Sequence, residues 1–500
     1  MSLLKKLAGQ TALYGLSSIL GRAINFLLVP FYTAVLAPVQ FGTITELYAY
    51  VAFFNIIYLY GMETAYFRFA TKENNIEASV FNQSETTLIF SSLLFSGVLL
   101  LLSPVIANGL EYHGHSMYFI LLGLILAIDS MMAIPFARLR LQNKAGLFAT
   151  AKLFNILVNV GSNIFLLVFC KKIADGELYP SLRPFILSFY SEEYFVEYIL
   201  TSNLLASFLT FFFLLKTFKG FKIDFNWERL KPMLVYAVPM LFIGLAGMVD
   251  EMLSRIILKY VLPEGFYPNR TNLEALGIFG ACYRLSMFMT LAVQSFRYAS
   301  DPFFFSQAKD KNAPELFATV MKWFVIVCAF LYVVVSCNLS LFEKILRNEI
   351  YREGILVVPV LLMANLFLGV YYNLSIWYKL TDKTQLGTWI SLLGAAITII
   401  ANLILIPFFG YMGSAVTTLI CYFIMSLISY IWGQKYFPVP YKIGSALFYL
   451  TFAVILSILA LSYPFGKGSM MSYGFQLMLL GIYLFVVFLI ERKQMNFKAS

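Results

Sequence analysis

The sequence predicts an all-α, polytopic membrane protein with about fourteen transmembrane helices. They group as two six-helix lobes in a parallel pseudo-two-fold repeat, followed by two C-terminal helices. Three observations predict this. The 500 residues are 60% hydrophobic and only 12% charged, against about 25% charged in soluble domains. Apolar runs of roughly 20 residues, enough to span a bilayer, recur along the whole chain. A 19-residue pattern returns after 225 residues.

The start, "MSLLKKLAGQ", places lysines before an apolar run with no small-residue cleavage site, so it reads as an uncleaved first span. The predicted spans are 11–36, 41–67, 86–108, 116–137, 145–170, 194–215 and 232–261, then 276–299, 316–341, 355–378, 384–406, 411–432, 443–462 and 471–490. None alternates as a membrane β-barrel strand must. The 50 Phe and 32 Tyr suit lipid contact and interfacial belts.

Placing the N-terminus inside and alternating sides puts 21 Lys and Arg in inner segments and nine in outer ones, counting Lys259 at the outer end of its span. That bias predicts cytoplasmic N- and C-termini. It also accounts for the net charge of +10 without a nucleic-acid partner. The strongly basic break "KTFKGFKIDFNWERLK" separates the lobes, giving 1–222, 223–435 and a final segment 436–500 with helices thirteen and fourteen.

The repeat lays "LGRAINFLLVPFYTAVLAP" (20–38) over "LAGMVDEMLSRIILKYVLP" (245–263). Leucine and proline coincide at the ends, and Asn25 falls on Asp250. Further on, "YFRFA" (66–70) echoes "SFRYA" (295–299). Copies with an even number of helices enter from the same side, as in a parallel repeat.

An ionisable group within a span costs at least a few kcal/mol, roughly, so it faces the bundle interior or water. Arg138, Arg140, Lys259 and Lys322 stand near span ends and are expected to snorkel. The deeper charges are Arg22, Glu46 and Glu63 in the first two helices, and Asp250, Glu251, Arg255, Arg284 and Arg297 in the seventh and eighth. Asp129 is the main exception, in helix four. Glu251, Arg255 and Lys259 lie at i, i+4 and i+8, one helical face. Two readings compete: Glu251 and Arg255 neutralise each other as packing, or the stripe lines a wet cavity. The arginine surplus favours a cavity for an anion, because guanidinium forks match phosphate oxygens. Pro30 and Pro239 are expected to break helices one and seven, with Gly244 and Gly247 loosening the latter.

Other chemistry is sparse. The five cysteines lie in or beside apolar runs and read as buried thiols. His113 and His115, in "EYHGHS", read as an exposed turn rather than a metal site. No Walker loop is present. The outer loop near 171–193 is short and aromatic, without a catalytic constellation, so an enzyme such as a polymerase or ligase is not expected.

The segments "LLKKLAGQTALYGLSSILGRAINFLLVPFYT", "GMETAYFRFATK", "SRIILKYVLPE" and "LGIFGACYRLSMFMTLAVQSFRYASDPFFFSQA" resemble the polysaccharide flippase branch of the multidrug/oligosaccharidyl-lipid/polysaccharide (MOP) exporter superfamily. The resemblance implies translocation of undecaprenyl-pyrophosphate-linked oligosaccharide by alternating access. It implies a cationic cavity, with Arg22 matching a first-helix arginine and Arg284 a basic position in helix eight. Arg255 stands where relatives often carry an Asp-Arg pair, but Ser254 replaces that acid here. Asp250 or Glu251 is expected to substitute for it. Substrate contacts are expected from Arg22, Arg255, Arg284 and Arg297. Glu46, Glu63, Asp250 and Glu251 are the candidate cavity acids, able to bind a coupling Na+ or H+, with no other cofactor expected. Membrane lipids, a polysaccharide polymerase and chain-length machinery are the expected partners. A cation-coupled multidrug antiporter and a lipid II flippase of the same fold are the alternatives.

Overall fold

A computed structural model describes residues 20–21, 23–24, 26–71, 77–307, 310, 312–462 and 469–499. Among them every regular element is a helix. Twelve helices are long and apolar enough to cross a membrane, and a bent pair makes a thirteenth. A shorter apolar helix, Phe26–Val35, occupies the described part of the expected first span. The chain is therefore a multi-pass membrane protein with the expected all-α architecture.

In chain order the helices are α1 (Phe26–Val35), α2 (Pro38–Ala70), α3 (Glu77–Gly109), α4 (Ser116–Leu141), α5 (Ala145–Ala174), α6 (Glu192–Phe218) and α7 (Trp227–Val261). Then come α8, a bent pair Asn272–Leu285 and Met287–Gln307, α9 (Ala313–Cys337), α10 (Val357–Leu380), α11 (Thr384–Phe409), α12 (Tyr411–Tyr436) and α13 (Ile443–Ser462). The last, α14, runs Met470–Ala499.

Two compact units follow from the packing: Met1–Leu28 with Val35–Met248, and Val29–Ala34 with Val249–Ser500. In the first, Met62, Tyr66, Phe81, Leu88, Ile134 and Met233 form a core. In the second, Tyr371, Ile390, Tyr422 and Met425 pack together. The boundary falls inside α7. The segment before α7 is held on α3: the backbone N–H groups of Lys222, Asp224 and Asn226 donate to Asn82 Oδ1 (3.3 Å), Thr86 Oγ1 (3.1 Å) and Gln83 Oε1 (2.8 Å). Thr33 ties α1 residues into the second unit, accepting from the Arg347 N–H at 3.2 Å through its hydroxyl.

Two helices break at related places. In α2, Tyr60 and Gly61 both take positive φ, 33° and 80°. In α8 the chain bends by 45°, and its break at Ser286 lies 225 residues after Gly61, the offset of the sequence repeat. The expected proline breaks do not occur. Helix continues through Pro30, and Pro239 lies inside unbroken α7. A proline removes one backbone hydrogen bond, which a packed membrane helix tolerates.

Lys322 and Lys259 are not snorkelling ends. Lys259 is 7% exposed. The Lys322 ammonium donates to Glu491 Oε2, and the Tyr449 hydroxyl donates to Glu491 Oε1 at 2.8 Å. This buried group joins α9, α13 and α14. The five cysteines are free and buried, as expected.

Candidate functional site

The first unit contains a polar cavity of about 400 Å³, lined by α2, α4, α5 and α6. Glu63 enters it just past the Gly61 break, which turns the end of α2. Arg140, expected at the surface, instead pairs with Glu63 and lies over the Phe67 ring, 5.0 Å from its centroid. Asp129 accepts from the Ser207 hydroxyl at 2.6 Å. Lys152 also lines the cavity, its ammonium 4.2 Å from the Phe136 ring centroid. Asn155 donates to Thr210 at 3.1 Å. Two carboxylates face two cations here, so the cavity suits water and polar groups without favouring either sign.

Glu46 is not part of that cavity. It is fully buried and receives the Tyr112 hydroxyl and, at 2.8 Å, the Tyr50 hydroxyl. These bonds anchor the turn before α4 to α2. His115, in the same turn, approaches Glu197 at 3.2 Å, so it is not simply exposed. Arg22 lies outside the described residues.

In the second unit the charges of α7 separate by face. Glu251 is exposed and Asp250 is buried. Arg255 is half-buried, with its guanidinium 4.3 Å from the Tyr283 ring centroid and one nitrogen 3.0 Å from the Met252 sulfur. Among the described residues it has no carboxylate within ion-pair distance. The i, i+4 pairing of Glu251 with Arg255 therefore does not form. Arg297 lies over the Tyr372 ring at 4.5 Å. Arg284 is half-buried at the end of the first half of α8.

Asp250 turns the other way. The Cys421 sulfur is 4.0 Å from its Oδ1. One turn on, Ser254 accepts from Asn402 Nδ2 at 2.9 Å. The oxygens Thr398 Oγ1 and Asn402 Oδ1 are buried and lack a hydrogen-bond partner among the described residues. This oxygen-rich patch on α7 and α11 was missed in the sequence, because Thr and Asn carry no charge to flag them. Lys152 could have been found as a lysine two turns into an apolar run. Glu85 could too: it is wholly buried on α3, with neither carboxylate oxygen hydrogen-bonded among the described residues.

Comparison with solved structures decides the fold. "Lipid II flippase MurJ, inward closed conformation" superposes with a TM-score of 0.69 over 95% of this chain and 98% of that one, at 12% identity. The fold is that of the MOP transporters. A "multidrug resistance MATE family transporter of the MOP superfamily" in an inward-facing conformation gives 0.57, at 12% identity over 87% and 94% of the chains. A MOP transporter from Pyrococcus furiosus, described as having a binding pocket of reverse polarity, gives 0.55 at 10% identity over 86% and 95%. Residues 33–173 match the family model "Polysaccharide biosynthesis protein". That match, on a MOP fold, supports the resemblance to the polysaccharide branch. No curated protein matches by sequence.

Proposed function

We propose that this protein is a flippase for a lipid-pyrophosphate-linked oligosaccharide, working by alternating access in the bacterial inner membrane with both termini cytoplasmic. The observation that carries the reading is Arg255. A guanidinium within a membrane span, backed by an aromatic face and lacking a carboxylate partner among the described residues, is poised for an anion brought from outside. Its planar fork suits pyrophosphate oxygens. Arg284 and Arg297 are proposed to extend the same cationic surface, and Arg22 is proposed as a further substrate contact on the family resemblance alone. The polysaccharide family match at 33–173 supports a glycan cargo.

Asp250, which packs against Gly394 of α11 with Thr398 and Asn402 further along that helix, is the proposed site for the coupling ion. Oxygen ligands of this kind suit a hard cation, and the carboxylate alone suits a proton. Glu46 is proposed to act structurally, and Glu63 within the unit-one cavity. A polysaccharide polymerase and its chain-length partners are the proposed recipients of the product.

A lipid II flippase is the second reading, favoured by the 0.69 superposition on MurJ. Gene deletion separates the two. Loss of surface glycan with lipid-linked oligosaccharide accumulating on the cytoplasmic face supports the first; arrested cell-wall synthesis supports the second. Normal surface glycan in the deletion strain overturns the glycan reading. Full rescue by Arg255→Ala overturns the assigned role of the arginine.

A further inference from the structure

A groove of about 320 Å³ in the second unit opens between α9, α10, α12 and α13. None of the residues around Arg255 or Asp250 lines it. Its walls are apolar, formed by side chains such as Val325, Phe367, Phe423, Leu427 and Leu447. The lysine that α9 contributes does not spoil this. Lys322 gives the groove its stem and directs its ammonium to Glu491, whose other oxygen accepts from Tyr449.

One end of the groove is different. Lys442 and the phenols Tyr430 and Tyr441 gather there, where α12 connects to α13. That connection is fixed: Gln434 Nε2 donates to the Val439 carbonyl at 2.8 Å, and Val439 is packed in a core with Phe304, Phe317 and Ile376. Lys442 itself is exposed. An apolar trough with a cation and two phenols at one end has the polarity of an anionic amphiphile. A free anion would leave the walls unused. A neutral apolar molecule would leave the rim unused.

We propose that this groove is a binding site for one anionic membrane phospholipid, with an acyl chain along α9 and α12 and the phosphate at Lys442. With the termini cytoplasmic, the lipid belongs to the inner leaflet. The site is separate from the proposed cargo path and does not depend on it.

Native mass spectrometry of the full chain in detergent tests this, with phosphatidylglycerol, phosphatidylcholine and undecaprenyl phosphate as probes. The expected result is one tightly held phosphatidylglycerol, bound roughly fivefold better than phosphatidylcholine, the scale of one lysine near an anionic surface. Leu427→Trp, which fills the trough, and Lys442→Glu, at an exposed position, each lower its occupancy by a similar factor. Lys442→Arg retains it. Unchanged phosphatidylglycerol occupancy in both damaging variants overturns the proposal, as does equal binding of phosphatidylcholine. Displacement by equimolar undecaprenyl phosphate also overturns it, giving the groove to a cargo tail instead.

Discussion

The guanidinium of Arg255 rests 4.3 Å from the centroid of the Tyr283 ring, while Glu251, one turn earlier on the same helix, is accessible and forms no ion pair with it. Helical spacing alone makes Glu251 and Arg255 natural partners. They are separated because Arg255 turns to the aromatic face of α8. Arg255→Ala is therefore expected to lower transport by roughly tenfold or more, the scale of one charge-assisted contact to an anion. Glu251→Gln should change it by less than about twofold, because no ion pair joins Glu251 to Arg255. Tyr283→Phe keeps a ring for the cation and should retain most activity. Flipping assays in proteoliposomes read all three. An equal loss in Glu251→Gln and Arg255→Ala would restore the ion-pair interpretation.

Asp250 is expected to separate coupling from cargo binding. Its carboxylate lies beside Cys421 and against Gly394 of α11, on a face of α7 away from Arg255. Asp250→Asn keeps the size of the side chain and removes its charge. Transport by this variant should lose its response to a sodium or proton gradient, while the affinity for lipid-linked glycan stays within about twofold. Vesicles with an imposed ion gradient provide the measurement. A gradient response equal to wild type removes Asp250 from the coupling step.

The helix order was legible because span length and loop charge are one-dimensional signals. The break in α2 was not. Helix length and hydropathy run smoothly through this stretch, and only the positive φ at Tyr60 and Gly61 marks the turn. Proline misled in the opposite direction at positions 30 and 239, since a membrane helix absorbs the lost hydrogen bond. Charge near a span end was also a poor guide. Arg140 and Lys322 look alike in sequence to snorkelling residues, but their partners, Glu63 and Glu491, are remote in the chain and could not be paired by spacing. Asp250 and Arg255 stand out in the sequence as charges too deep to leave unexplained. Their division onto different faces needed α8 and α11 in place.

The Lys322–Glu491 pair should dominate the attachment of the last helix. Both side chains are more than nine-tenths buried. Removing one partner strands the other charge, at a cost of about 3–5 kcal/mol. Lys322→Met and Glu491→Leu are each expected to lower the unfolding temperature in detergent clearly. The double variant should recover most of the loss, because two apolar side chains leave no stranded charge. A double variant as unstable as the sum of the two single changes would show that the pair is not what holds α14.

Gly61 is expected to be the least replaceable of the glycines at positive φ in the first unit. A methyl group there would stand 2.5 Å from the Ala237 carbonyl oxygen and 2.8 Å from Met240 Cβ, both held by α7. The backbone at φ 80° adds strain of its own for any L side chain. Gly114 provides the control: its φ is 83°, but nothing lies within 4 Å of an added methyl. Gly114→Ala should cost only the conformational strain, about 1 kcal/mol. Gly61→Ala should cost clearly more, because the clash is with backbone that cannot rotate away. It should also disturb Glu63 and its pairing with Arg140, two residues further along. Thermal unfolding of the two variants ranks the costs. Cross-linking of cysteines placed at 63 and 140 tells whether the end of α2 has moved. Equal melting temperatures for the two variants would mean that α2 and α7 do not pack closely at Gly61.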